Sequence, residues 1–230
     1  MKFQEDIEHR LTGRHKRCMR AVGNVRNKKI LDIGCSFGWF EKFASENGCK
    51  EIIAIDTDVD MLSSAKRHID TSNVRFMRGS ATNLSKFKKD YFDIVVIFDV
   101  LEHVPKNKET AVFEEIKNVL KKNGLLVLST PNKNLWSCLF DPAWYFGHRH
   151  YSAKEVSSFL HQSGFEVKAV RYGGGFYELF SMILLYLFKW FFKREIPFKA
   201  WFDKKRDEEY LKKDRNMFAT LFLECVVKKD

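Results

Sequence analysis

The sequence predicts an α/β protein with a mostly parallel, doubly wound sheet covered by helices on both faces, and three observations carry that expectation. An apolar run of Ile30, Leu31 and Ile33 ends in a turn with Gly34 and Gly38, followed by helical spacing at Phe40, Phe43 and Ala44. A second run, Glu51 to Ile55, ends in Asp56-Thr57-Asp58, about 20 residues beyond the turn. Short apolar runs then alternate with helical patterns, which places strands at Ile30–Ile33, Glu51–Ile55, Val74–Met77, Phe92–Phe98, Leu125–Ser129 and Glu166–Tyr172. A strand-like stretch from Phe218 to Val227 closes the series. Ser152-Ala153-Lys154-Glu155 has the residues of a capping box and starts a helix.

The first turn selects its ligand by what it lacks. Glycines there permit positive φ and close approach to backbone, and the helix that follows is expected to offer unpaired N–H groups. A dinucleotide fingerprint would need glycines where Ser36 and Trp39 stand, and a P-loop would end in Gly-Lys-Ser/Thr. No Lys or Arg lies between Asp32 and Phe40, so a nucleoside without phosphates fits better than a nucleotide. Asp32 suits a cationic group such as an ammonium or sulfonium. Asp56 occupies the place at which an acid accepts both ribose hydroxyls, while Asp58 caps the helix starting near Val59.

These residues resemble the class I S-adenosylmethionine-dependent methyltransferases over about residues 28 to 172 and the last strand. Leu31-Asp32-Ile33-Gly34-Cys35-Ser36-Phe37-Gly38 is similar to their first motif and Ile55-Asp56 to their second acidic position. Arg78-Gly79-Ser80-Ala81-Thr82-Asn83-Leu84 resembles their adenine-contact loop, Phe92 to Val104 their fourth strand with its cofactor-facing end, and Leu120 to Asn132 their fifth. The resemblance implies a Rossmann-like seven-stranded sheet whose last strand inserts antiparallel between its predecessors, with a helical insertion before it. It implies S-adenosyl-L-methionine as cofactor, bound through Asp32, Gly34, Cys35, Ser36, Gly38, Asp56, Thr57, Ser80, Ala81, Phe98 and Asp99. Two departures stand out: Ser36 replaces the usual middle glycine, and Ser80 stands where the family often has an acid for the adenine amino group, which leaves a hydroxyl and the Ala81 backbone.

A chain of 230 residues, 45% hydrophobic, suffices for one such domain, expected to span 1–230 with an N-terminal helical cap over 1–27 and an aromatic-rich helical insertion over 173–216. Five scattered cysteines without metal-ligand spacing predict neither a disulfide framework nor a metal site, and a reducing, cytoplasmic setting. Met1 to Lys29 is charged throughout and does not read as a signal peptide. Arg10 to Arg20 reads as a basic helix, either a cofactor cap, a contact for anionic material or a solvated face.

Aromatic residues are unusually abundant outside the strands. Trp136, Phe140, Trp144, Tyr145 and Phe146 follow the fifth strand, at the end of the sheet where such folds bind ligands. Phe176 to Arg194 is too short and too interrupted, by Glu178 and Lys189, for the roughly 20 apolar residues of a membrane span. Residues 176–194 are instead expected to lie flat at a membrane surface, with Lys189, Lys193 and Arg194 at anionic head groups, or to serve as a lid or dimer contact. The net charge of +10 favours an anionic surface, whereas its lysines are dispersed beside acids rather than gathered into a stripe, which argues against nucleic acid. Phe98-Asp99-Val100-Leu101 also departs from the signature of enzymes that methylate base amino groups.

Methyl transfer is an in-line displacement, so a protein contributes chiefly by alignment and needs a base only for a hydroxyl-type nucleophile. Candidate bases are His103 after the fourth strand and His148 and His150 in Gly147-His148-Arg149-His150-Tyr151-Ser152. That segment resembles a Gly-His-x-x-His-Tyr-Ser type in methyltransferases of small-molecule, glycan and quinone pathways, one residue shorter. Each histidine has a structural reading beside the catalytic one, and Arg149 either holds an acidic acceptor or forms an ordinary salt bridge. The expected function is methyl transfer to oxygen of a hydrophobic or lipid-linked small molecule by a membrane-peripheral enzyme. The alternatives are a nucleoside-binding scaffold or membrane-peripheral binding protein without turnover, and, behind both, an RNA methyltransferase.

Overall fold

The computed structural model describes residues 11–194, 196–212 and 217–228. Residues 1–10 of the expected N-terminal cap lie outside them, as do residues 195 and 213–216 of the expected insertion.

Seven strands form one sheet in the order β3-β2-β1-β4-β5-β7-β6. Strands β1 (Lys29–Ile33), β2 (Glu51–Asp56) and β4 (Phe92–Phe98) are nearly continuous buried runs, as parallel strands covered on both faces must be. Strand β3 (Val74–Arg78) is an edge with mostly exposed side chains. Strand β7 (Thr220–Val227) runs antiparallel between β5 (Leu120–Pro131) and β6 (Phe165–Gly173), the arrangement that the resemblance implied. The fifth strand begins five residues before the expected Leu125, because Leu120 already pairs with Phe92. Lys121 to Asn123 then loop toward solvent, with Asn123 at positive φ, before regular pairing resumes at Leu125 with Ile94.

Alternate residues of the central strands feed two cores. Leu31, Ile33, Val95 and Ile97 pack beneath Val112, Phe113 and Ile116 of α4 (Glu109–Val119) and Leu160 of α6 (Ala153–Gln162). Ile30, Ile94 and Val96 face Cys18 and Val22 of α1 (Gly13–Val22) and Phe40 and Ala44 of α2 (Trp39–Glu46). Helix α3 (Val59–His68) covers Ala54 with Leu62 and is capped by Asp58, which accepts from the Asp60 and Met61 amides at 2.8 and 3.2 Å. The capping box of α6 is formed as its sequence requires: Ser152 Oγ accepts from Glu155 N–H, and the Glu155 carboxylate accepts from Ser152 N–H.

Between β6 and β7 stand α7 (Phe176–Leu187), a π-helical turn over Phe188–Phe192, and α8 (Lys199–Leu211). Helix α7 begins at Gly175, which has no side chain to cap it. The buried Glu209 of α8 does so instead, accepting the Gly175, Tyr177 and Glu178 amides at 2.9 to 3.0 Å. Helix α8 also holds α1: Asp207 Oδ1 accepts Gly13 N–H at 2.7 Å, and a Cβ on Gly13 would lie 2.5 Å from the Asp207 backbone. Among the described residues no helix is long and apolar enough to cross a membrane.

Candidate functional site

The carboxyl ends of β1, β2 and β4 surround a cleft of about 430 Å³. Its floor is the first turn. Gly34 adopts φ 81°, and a Cβ there would sit 2.2 Å from Val100 Cγ2, so only glycine lets the turn pass under the loop after β4. The glycine amides of the turn itself are engaged within the protein. Gly34 and Cys35 donate to Ile55 O at 2.7 and 3.2 Å, Gly38 donates to Cys35 O, and Ser36 N–H donates to Asp56 Oδ2 at 2.9 Å. The turn is tied to the end of β2, and its own amides supply the ties.

This tying orients Asp56. One carboxylate oxygen accepts from Ser36 and the other from Asp58 N–H at 3.0 Å, and the group lines the cleft. Each oxygen retains acceptor capacity, so a vicinal diol is the natural complement.

Of the residues expected at the cofactor, Gly34, Ser36, Asp56, Thr57, Ala81, Phe98 and Asp99 line this cleft. Asp32, Cys35, Gly38 and Ser80 lie behind or beside it. The Cys35 side chain is buried with Ala54 and Leu62, and burial raises its thiol pKa, so it points away from any ligand. Gly38 starts α2 at φ 89°, where a Cβ would strike Ile69 and Ala65. Ser80 Oγ meets Thr82 Oγ1 at 2.9 Å.

Several lining residues were not singled out one by one, although a cofactor cap was among the readings of the basic helix that carries Arg14 and His15. Arg14 reaches across from α1 to form an ion pair with Asp99 Oδ1, which also accepts from Ser129 Oγ at 3.0 Å. Nothing in a run of basic residues distinguishes Arg14 from Arg17 or Arg20; only the docking of α1 does. His15 stacks on Trp39 with centroids 4.4 Å apart. Burial, aided by Arg14, lowers the His15 pKa to about 4, so this wall is an uncharged aromatic pair at neutral pH. Trp39, which stands where a dinucleotide fingerprint would need glycine, is thereby a cleft residue.

Asp32 is paired, but with another acid. Asp32 and Glu41 are 3% and 0% exposed, and among the described residues no N–H or hydroxyl reaches either Glu41 oxygen. The two carboxyl groups are neighbours in the core, where burial and the like charge beside each favour keeping a proton on the pair. Burial first, and then mutual repulsion, raises the Glu41 pKa well above the carboxylate range. An acid raised in the native state binds its proton more tightly folded than unfolded. Its contribution is therefore full at low pH and is lost as pH climbs from the ordinary carboxyl range through the raised value. Denaturant midpoints measured from pH 5 to 8 are expected to fall less steeply in Glu41→Gln than in the parent; parallel profiles would contradict the shared proton.

The histidines gather in one corner. His103 lines the cleft, and His148 lies 5.1 Å from it between ring centroids. Partial desolvation and His148 lower the His103 pKa. His150 is buried against Asp141, with Nε2 2.8 Å from Oδ2, and His148 Nδ1 lies 3.4 Å from the same oxygen. Asp141 was absent from the expected site. Arg149 forms the ordinary salt bridge, to Glu109, and clamps the carbonyls of Leu101, Glu102 and Val104.

A family profile described as a methyltransferase domain matches residues 31–128, from the first strand to the fifth. The ubiquinone biosynthesis O-methyltransferase of Psychrobacter cryohalolentis is 32% identical over 120 residues, 50% of this chain and 46% of the relative. The chain thus spans about half the length of the curated relatives it matches. An S-adenosylmethionine-dependent methyltransferase from Mesorhizobium loti superposes with a TM-score of 0.65 at 19% identity, over 93% of this chain and 97% of that one. The [4+2]-cyclase SpnF superposes with 0.67 at 18% identity, over 94% and 82%, so the fold alone does not dictate methyl transfer. The matched domain, the strand order and the acid-bearing turn agree: residues 31–128 are similar to a methyltransferase domain, and the chain has the fold of S-adenosylmethionine-dependent methyltransferases.

Proposed function

We propose that this chain is a methyltransferase that uses S-adenosyl-L-methionine to modify an oxygen of a small hydrophobic, lipid-linked acceptor at a membrane surface. The observation that carries the reading is Asp56, anchored by two amides and aimed into a cleft of ligand size. In this reading Asp56 holds the ribose hydroxyls, Ala81 and Phe98 border the adenine, and the Arg14–Asp99 pair meets the charged amino-acid end. The bound cofactor would supply an electrophilic methyl carbon on a cationic sulfur. The protein's part is to align the acceptor, exclude water with the Trp39–His15 wall, and take a hydroxyl proton on an imidazole nitrogen of His103. The lowered His103 pKa keeps that imidazole neutral and able to accept at pH 7. His148 and His150 are occupied by Asp141 and suit that role less. The name of the Psychrobacter relative supports an oxygen acceptor.

The acceptor's class is argued from the surface. Trp190, Phe191, Phe192 and Phe198 are exposed, Phe191 by 74% and Phe198 by 83%, and Lys189, Lys193 and Arg194 flank them. Aromatic and basic residues mixed on one exposed segment suit the interface of an anionic bilayer.

The test is production of S-adenosylhomocysteine from a panel of hydrophobic phenols and alcohols supplied in vesicles. Turnover is expected with the parent, and His103→Gln is expected to lower kcat by about a hundredfold or more without loss of cofactor binding. Saturable cofactor binding with no product from any acceptor would establish a nucleoside-binding protein instead.

A further inference from the structure

The connection between β5 and α6, which carries the short helix α5 (Leu135–Phe140), contains a cluster that neither the proposed chemistry nor the family match uses. Its geometry follows from local sequence. Asp141 caps the 3₁₀ turn Pro142–Phe146 through Ala143 N–H at 2.9 Å. Gly147, at φ 89°, then reverses the chain so that His148 N–H bonds back to Ala143 O at 3.0 Å. From there His148 and His150, two positions apart, both turn to one carboxylate oxygen. Cysteine spacing predicted no metal site in this chain; the Asp-x6-His-x-His spacing becomes one only after this reversal.

We propose that Asp141 Oδ2, His148 Nδ1 and His150 Nε2 form a binding site for a divalent transition-metal ion of the zinc class. Two imidazoles and a carboxylate are a donor set for such an ion, with a further position left for water. The three donor atoms lie within 4.8 Å of one another. Tetrahedral bonds of about 2.0–2.1 Å place donors about 3.3 Å apart; the observed 2.8 and 3.4 Å need only small side-chain adjustments. The surroundings are those of a supported ligand set. Asp141 Oδ1 is oriented by Ala143 N–H, His150 Nδ1 faces Cys138 Sγ at 3.8 Å, and Trp144 packs its edge against the His150 ring. His150 and Asp141 are almost fully covered, and His148, 22% exposed, forms the entry side. The ion would fasten the aromatic loop to itself, one ring away from the His103 wall of the cleft. The inference stands independently of methyl transfer.

The competing occupant is a proton, which would make the cluster a histidine–aspartate ion pair only. The test uses untagged, chelator-stripped full-length chain titrated with Zn²⁺, and with Co²⁺ for its visible absorption. One equivalent is expected to bind, to raise the melting temperature and, as Co²⁺, to give the intense bands of low coordination. Asp141→Asn, His148→Ala and His150→Gln are each expected to weaken binding at least about tenfold; should the buried His150 variant fail to fold, the more exposed His148 variant still decides the matter. His103→Ala must retain the ion, because a second donor group, Glu102 with His103 and His148, shares His148. Absence of stoichiometric uptake, unchanged binding in His148→Ala, or equal loss in His103→Ala would overturn the proposal.

Discussion

Asp56→Ala is expected to weaken S-adenosylmethionine binding at least about a hundredfold, because two hydrogen bonds to a charged acceptor, each worth about 1.5–3 kcal/mol, disappear together. The same change unties the turn, since Ser36 and Asp58 lose the carboxylate that accepts their amides. Asp56→Asn separates the two effects. Its side-chain carbonyl can retain one of the amides, while its NH₂ group cannot accept a ribose hydroxyl. Isothermal titration is therefore expected to rank the parent first, with both variants far behind, while thermal stability falls mainly in Asp56→Ala. Equal affinity in all three proteins would place the ribose elsewhere.

The second large effect concerns the proposed membrane face. Trp190→Glu combined with Phe191→Glu is expected to lower partition onto anionic vesicles by about a thousandfold, because two large side chains each contribute about 1.5–3 kcal/mol when buried. Both residues are exposed, Trp190 with its ring against Tyr186, so circular dichroism of the variant accompanies the vesicle measurement. Binding by the parent should also weaken as salt rises, since Lys189, Lys193 and Arg194 act through screened charge. Equal co-sedimentation of parent and variant would remove the membrane surface from the account and leave a lid or dimer contact.

The sheet was legible because buried parallel strands are written as continuous apolar runs, and Ile30–Ile33, Glu51–Ile55 and Phe92–Phe98 fall within a residue of the observed strands. The start of β5 was not, because Lys121 to Asn123 interrupt its apolar pattern although Leu120 is already paired. In the cleft, residues joined to a strand end or turn were legible: Gly34, Asp56 and Asp99 take their places from local chain geometry. Arg14 and His15 arrive by helix docking, through Gly13 and Asp207, which no local pattern encodes. The ties of Gly34 and Cys35 were illegible for a similar reason, since their amides bond to a neighbouring strand, here Ile55 of β2. Glu41 went unnoticed because an acid beside Lys42 on a helix that also carries Ser45 and Glu46 reads as a solvent-facing residue until its burial is seen.

A crystal structure of the chain with S-adenosylhomocysteine tests the central claim most directly. The account predicts both ribose hydroxyls within hydrogen-bonding distance of the Asp56 carboxylate, with the amino-acid end toward Arg14 and Asp99. An adenosyl group bound outside this cleft, or a ribose turned away from Asp56, would contradict it.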